Sequence, residues 1–408
     1  MKNVAVMGYG TVGSGVVEIL LENKKRIAQK IGEEIEVKYV LDLREFPGSP
    51  IEDKIVHDFN QIVTDPSIDI VVETMGGLNP SYPFVKAALE AGKHVATSNK
   101  ALVAAHGTEL LEIAKAHKVN FFFEASVGGG IPIVRPLYQS LAGEQIEEIT
   151  GILNGTTNYI LTKMGADGES FESALTEAQR LGYAERNPEA DVEGHDTCRK
   201  IAILTAVATG CEVNYEEIHT EGITTITDVD FQYAKKMGTS IKLFGSSRVK
   251  EDKVFAWVAP VMIPVSHPLY AVNDVYNGIL VKGKTLGVSM FYGSGAGKLP
   301  TASAVVADII DAAKHRNENV YEGWSSKKLE ISSMEEAVHH YFVRIAGTVE
   351  SSLERVKKDL GEVKVIQLEG EHEYAVLTDA VKEQEWNQKK IGLEEDGIQI
   401  LQVIRAEI

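Results

Sequence analysis

Apolar residues follow two rhythms along this chain. In its first third, short runs that are apolar almost throughout alternate with stretches where apolar residues recur every three or four positions. Residues 2–7 (Lys-Asn-Val-Ala-Val-Met), 35–41, 68–74, 94–97 and 121–124 are runs of the first kind and predict strands buried on both faces. Between them the longer period predicts helices: one after residue 10, with Val12, Val16, Ile19 and Leu20 on one face, one at 81–91 and one around 107–117. Such strand–helix alternation predicts an α/β domain with a doubly wound parallel sheet of Rossmann type, over residues 1–135.

The rhythm changes after Gly128-Gly129-Gly130. Helices are predicted at 136–142, 174–182, 196–209 and 231–245, mixed with strands near 146–153, 253–261 and 279–281, as an α+β domain over 136–301. A helix at 302–314, preceded by Gly293-Ser294-Gly295-Ala296-Gly297, is expected to return to the first domain. The polar stretch 315–334 reads as a linker. A third segment, 335–408, shows strand 340–345, helix 349–360, strands 363–368 and 373–378, helix 380–391 and strand 398–405. That order is a split βαβ arrangement.

Composition narrows the class. The chain has 408 residues, enough for two or three domains of roughly 100–200 residues. Its 44% hydrophobic and 25% charged residues are ordinary for a soluble globular protein. No apolar run of about 18 residues predicts a membrane helix, and no secretory leader is expected before the first strand. The formal charge of −18 argues against nucleic acid or an anionic membrane as partner. Two cysteines, Cys198 and Cys211, make no disulfide framework and fit a cytoplasmic location.

The first candidate chemistry lies at the end of the first strand. Gly8-Tyr9-Gly10-Thr11-Val12-Gly13 is a G-x-G-x-x-G placed between strand and helix, where each glycine has its own task. The first allows the tight turn, the second lets backbone approach a pyrophosphate, and the third lets helix pack on strand. The amides at the helix N-terminus favour the anion. At the end of the second strand stand Asp42, suited to ribose hydroxyls, and Arg44, suited to a 2′-phosphate; NAD and NADP both remain open.

The second candidate is the carboxylate-rich stretch 184–196, which runs into Thr197-Cys198-Arg199-Lys200 and an apolar helix. Asp196 and Lys200 are one turn apart. They read either as an exposed ion pair or as a partly buried lysine oriented by Asp196 and poised to donate a proton. Lys100 follows a predicted parallel strand at its C-terminal end, where doubly wound folds bind ligands; it reads equally as a solvated loop residue. Asn154-Gly155-Thr156-Thr157-Asn158 is a polar loop that either binds a substrate carboxylate or caps the next helix. The eleven histidines show no paired metal spacing.

Taken together, GYGTVG, ETMGG, TSNKAL, EASVGGGIPI, GILNGTTNYIL, LGYAERNPEADVEGHDTCRK, SHPL and GSGAGKLPTASAVVADI occur in an order that resembles homoserine dehydrogenase along essentially the whole chain. The tail resembles an ACT domain, a small-molecule-binding module. The resemblance implies reversible NAD(P)H-dependent reduction of L-aspartate 4-semialdehyde to L-homoserine, on the route to threonine and methionine. It implies Lys200 as proton donor, Asp196 orienting it, and Lys100 as a second active-site lysine. Glu185 and Asp191 would hold the substrate, with Thr156 and Tyr183 beside it. Gly8, Gly10, Thr11, Val12, Gly13, Asp42, Arg44, Thr74, Lys100 and Gly297 would contact the cofactor. Glu124, Val127, Gly129 and Ile131 match a monovalent-cation site built mostly of carbonyl oxygens, suited to sodium. A homodimer through the second domain is implied, and an amino-acid effector such as threonine at the tail. Against that effector, the turn after the tail's first strand, Ala346-Gly347-Thr348-Val349-Glu350, lacks the proline usual in ACT modules. Another small-acid dehydrogenase and a non-catalytic amino-acid sensor are the competing readings.

Overall fold

The continuous apolar runs become a parallel sheet. The computed structural model describes residues 1–250, 253–315, 317–321 and 323–408. Six strands make up the first sheet among the described residues: β1 (Lys2–Met7), β2 (Ile35–Leu41), β3 (Ile55–Val56), β4 (Ile68–Glu73), β5 (His94–Thr97) and β6 (Phe121–Phe122). They run parallel in the order β3-β2-β1-β4-β5-β6, the doubly wound Rossmann arrangement. Val4 to Met7 and Ile70 to Val72 are fully buried, because helices cover both faces of such a sheet. Helix Lys298–Lys314 packs on helix Thr11–Glu22 at Gly15, where a Cβ would stand 2.9 Å from that of Ala302.

This sheet belongs to one of two units into which the chain divides: residues 1–145, 202–215 and 291–329. The polar stretch after residue 314 carries two aromatic anchors of this unit. Tyr321 and Trp324 are buried, and the Trp324 indole donates to Thr108 Oγ1 at 2.8 Å while filling the space beside Gly107.

The second unit comprises residues 146–201, 216–290 and 330–408. Its mixed sheet runs through Tyr276–Gly283, Ile146–Ile152, Thr239–Lys250, Lys253–Pro264, Ile400–Ala406, Val338–Ala346, Glu373–Leu377 and Lys364–Gln367. The helix expected at 231–245 is in fact helix Asp228–Met237 followed by strand Thr239–Lys250. Gly238, at φ 70°, caps the helix in the left-handed conformation and ends it there. The polar loop at 154–158 opens a helix, Gly155–Asp167, that the apolar pattern did not reveal.

The last four strands of this sheet stand in the order fourth, first, third, second, with helices Val349–Leu360 and Glu383–Glu395 on one face. Alternation sorts the strand Val338–Ala346: Tyr341, Val343 and Ile345 enter the core under those helices. On its other face Phe342 meets Tyr233 at 5.6 Å, and Arg344 donates to Asp230 at 2.7 Å. Strand Ile400–Ala406 pairs in parallel with Lys253–Pro264, so residues 330–408 continue the sheet begun by 146–290.

Burial also makes the fold sensitive to acid. His94 is 6% exposed, and its Nδ1 accepts from the Asn120 amide at 3.1 Å. Burial pushes its imidazole from 6.5 down to about 4. The unfolded chain therefore binds more protons between those values, and the contribution of neutral His94 is complete above pH 6.5 and lost as pH falls towards 4. Denaturant unfolding should show about 2 kcal/mol of this loss between pH 7 and pH 5. His94→Gln should flatten that slope; parallel slopes would refute the assignment.

Candidate active site

Two groups of residues, one in each unit, carry the chemistry. In the first, β1 leads into Gly8, whose φ of 93° and closeness to Thr74 and Met75 leave no place for a side chain. Gly10 is the N-cap of helix Thr11–Glu22, which has neither a side-chain cap nor an acidic first turn, so the backbone N–H groups near Thr11 and Val12 are offered to an anion. A Cβ on Gly13 would stand 1.9 Å from Gly8 O and 2.7 Å from Thr74 Oγ1, which fixes the close helix–strand approach. Thr74 Oγ1 donates to Met7 O and Gly8 O and locks the turn. A cavity of about 540 Å³, lined by Gly8, Gly10, Asp42, Arg44, His57 and Thr74, lies beside it.

Asp42 and Arg44 form one structure. The Asp42 carboxylate accepts from Tyr9 N at 2.8 Å, and from Arg44 Nε and Nη2 at 2.9 Å each. This forked contact with Arg44 holds Asp42 well below the usual carboxylate range. His57, which sequence reasoning passed over, bonds through Nδ1 with Asp42 O at 2.7 Å. The buried Glu73, also passed over, accepts from Met75 N, Gly76 N, Ser81 Oγ and Thr97 Oγ1 and so shapes the loop after β4. Lys100 opens helix Lys100–Ala116, whose N-cap Asn99 accepts from Leu102 N. Gly297, at φ 117°, is the N-cap of helix Lys298–Lys314 and has no side chain to close it.

Glu124, Val127, Gly129 and Ile131 are all buried in the same unit. Burial raises the Glu124 carboxyl, which nonetheless accepts three amides, those of Ile133, Val134 and Arg135, at 2.6–2.9 Å. Its side chain is thus spent on backbone. Among the described residues, no turn or loop amide donates to the main-chain oxygens of Val127, Gly129 or Ile131. Nor do described histidines, cysteines and carboxylates gather in threes around a metal-sized space.

In the second unit, helix His195–Thr209 begins with Asp196 and carries Lys200 one turn later. Lys200 Nζ stands 2.6 Å from Asp196 Oδ2 and donates to Leu153 O at 2.6 Å. Asp196 is 1% exposed and Lys200 8%, so the pair is buried and not a solvated i,i+4 contact. Asn154 organises the rest. Its Oδ1 accepts from Thr157 N, capping helix Gly155–Asp167, while Nδ2 donates to Asp191 Oδ1 at 2.7 Å and Asp196 Oδ2 at 2.8 Å. One amide thereby joins two carboxylates separated by five positions. Thr156 Oγ1 donates to Tyr183 O at 2.6 Å, which draws the loop before Glu185 to the start of the same helix. The Tyr183 ring is 44% exposed and Glu185 is exposed, so neither side chain is drawn into the buried cluster. The structure brings together Asp191, Asp196 and Lys200; Asn154 is the residue whose part went unrecognised.

Comparison with known proteins decides the family. A model of homoserine dehydrogenase matches residues 132–310, and a model of the homoserine dehydrogenase NAD-binding domain matches residues 8–124. The chain belongs to the homoserine dehydrogenase family. It is 48% identical over 316 residues to the homoserine dehydrogenase of Synechocystis sp., a match covering 76% of this chain and 72% of that one. The crystal structure of a homoserine dehydrogenase from Thiobacillus denitrificans superposes with a TM-score of 0.91 at 35% identity, over 100% of this chain and 98% of that one. A hyperthermophilic archaeal homoserine dehydrogenase in complex with NADPH superposes at 0.65 with 28% identity, over 76% of this chain and 98% of that one. As a homoserine dehydrogenase family member, the chain is an NAD(P)-dependent oxidoreductase acting on a CH–OH group. No helix among the described residues is long and apolar enough to cross a membrane.

Proposed function

We propose that the cluster around Lys200 interconverts L-aspartate 4-semialdehyde and L-homoserine. The observation that carries this reading is the buried Lys200–Asp196 pair, fixed from behind by Leu153 O and by the Asn154 amide. The turn at Gly8, Gly10 and Gly13, with Asp42, Arg44, Thr74, Lys100 and Gly297, holds the dinucleotide. When bound, the reduced nicotinamide supplies the hydride. Lys200 meets the negative charge that develops on the aldehyde oxygen and gives that oxygen a proton; in the reverse direction it takes the proton back. Asp196 keeps the ammonium aimed. Asp191 and Glu185 supply the negative charge that an α-ammonium group requires, with Thr156 and Tyr183 bounding the site.

The test follows the absorbance of reduced nicotinamide during oxidation of L-homoserine with each coenzyme. Turnover is expected with both, since Arg44 serves a 2′-phosphate when it leaves Asp42, and Asp42 then serves ribose hydroxyls. Arg44→Ala should lower the NADP-to-NAD ratio of kcat/KM by about tenfold or more, the worth of one charged hydrogen bond. An unchanged ratio would leave the ribose contact to Asp42 alone.

Sodium fits the second set of residues: the main-chain oxygens of Glu124, Val127, Gly129 and Ile131 are hard donors in a buried bend, and the ion would brace the fold there. We also infer a homo-oligomer, a dimer in the first place. Val288 and Met290, alternate residues on strand Gly287–Ser294, are 59% and 40% exposed and offer apolar surface that a second copy could cover.

A further inference from the structure

We propose that the C-terminal tail is part of the active-site support: Arg405, in its last strand, acts through Glu221 as a positioning residue for Asp191 and Asp196. The inference rests on the reading of the Lys200 cluster as the substrate site. Arg405 is 6% exposed, and its Nη1 donates to both oxygens of Glu221, at 2.8 and 2.9 Å. Its other face is held within the tail. Nη2 donates to Glu383 at 2.6 Å, and Glu383 in turn accepts from the Tyr341 hydroxyl at 2.6 Å. The guanidinium is thus clamped between tail and segment 221–223, and its strand is registered against Lys253–Pro264 by the Val261–Arg405 pairing.

Segment 221–223 lies directly on the catalytic loop. Glu221 N donates to Val258 O and Ile223 N to Val192 O, each at 2.8 Å. Between them Gly222 has no room for a side chain: a Cβ would stand 2.4 Å from Val192 O and 2.6 Å from Glu193 Cα. Gly194, at φ 82°, meets Glu221 O from the other side. Residues 192–194, between Asp191 and Asp196 in the chain, are therefore packed against a segment that Arg405 ties to the tail through Glu221, which also bonds the half-exposed His219 at 2.6 Å. The same two aspartates are joined by Asn154, so a shift at Glu221 reaches both. A tail that merely adds stability has no need of this route.

Kinetics on the full chain separate the two roles. Arg405→Met should raise the KM for L-homoserine and lower kcat/KM by about tenfold, the cost of a small displacement of positioned groups, with the coenzyme Kd unchanged. Arg405→Lys, which keeps the positive charge between Glu221 and Glu383, should recover part of the loss. Glu221→Gln, which preserves shape, gives the same reading should Arg405→Met fail to fold. Unaltered KM and kcat in folded Arg405→Met and Glu221→Gln, with only Tm lowered, would overturn the proposal. Lys200→Ala, measured alongside, reports on the site itself: full turnover there removes the site, whereas a dead Lys200→Ala beside an unaltered Arg405→Met removes only the role of the tail.

Discussion

Lys200→Ala should lower kcat by about 10²–10⁴, the usual worth of a positioned general acid, and leave the coenzyme Kd unchanged. The glycine turn proposed to hold the coenzyme, Gly8 to Gly13, belongs to the other unit of the chain. Stability will fall as well, because removing one partner of a buried ion pair costs about 3–5 kcal/mol. Lys200→Arg keeps the positive charge and the contact with Asp196, yet a guanidinium does not release its proton near neutral pH. It should stay slow while remaining folded, which separates proton delivery from charge alone. Turnover near that of the parent in either variant, measured with L-homoserine and excess coenzyme, would end the assignment of Lys200 as the acid.

The two groups of candidate residues were unequally legible in the sequence, for physical reasons. The parallel strands are buried on both faces and so read as unbroken apolar runs. The glycines at 8, 10 and 13 stand out because each solves a backbone problem that no other residue solves. Asp196 and Lys200 were visible as a pair through their four-residue spacing, but burial, which turns a surface contact into a site, is not a local property. The Asn154 amide was hidden for a similar reason: its partners lie 37 and 42 positions away. Only its place before Gly155-Thr156-Thr157 signalled a helix cap, and that much was correct. The helix expected at 231–245 failed because apolar residues recur on both sides of Gly238, Phe231, Tyr233 and Ala234 before it and Ile241, Leu243 and Phe244 after it, so hydrophobicity alone does not mark where the period changes from 3.6 to 2. Trp324 and Tyr321 were masked by polar neighbours; two large rings suffice to anchor a stretch whose average composition reads as linker.

Asn154→Ala should be the most damaging change outside the ion pair itself. The side chain is 5% exposed and has two separable tasks. As an N-cap it accepts from Thr157 N, and losing that bond costs about 0.5–2 kcal/mol. As a donor it holds the half-buried Asp191 and the buried Asp196 at 2.7 and 2.8 Å, and without it the two carboxylates face each other with one donor fewer. Their repulsion should move them apart, so that the orientation of Lys200 and the negative charge offered to substrate fail together. We expect kcat/KM for L-homoserine to fall about 10²-fold, with KM raised, and Tm to fall by the amount due to the cap and the unpaired oxygens. Asn154→Asp distinguishes the two tasks. Aspartate caps a helix as well as asparagine does, so the cap contribution should survive. It also sets a third carboxylate where the amide donated, so activity should fall at least as far as in Asn154→Ala. If Asn154→Asp instead retains parental kcat/KM, the amide bridge has no part in catalysis, and Asn154 is a helix cap alone.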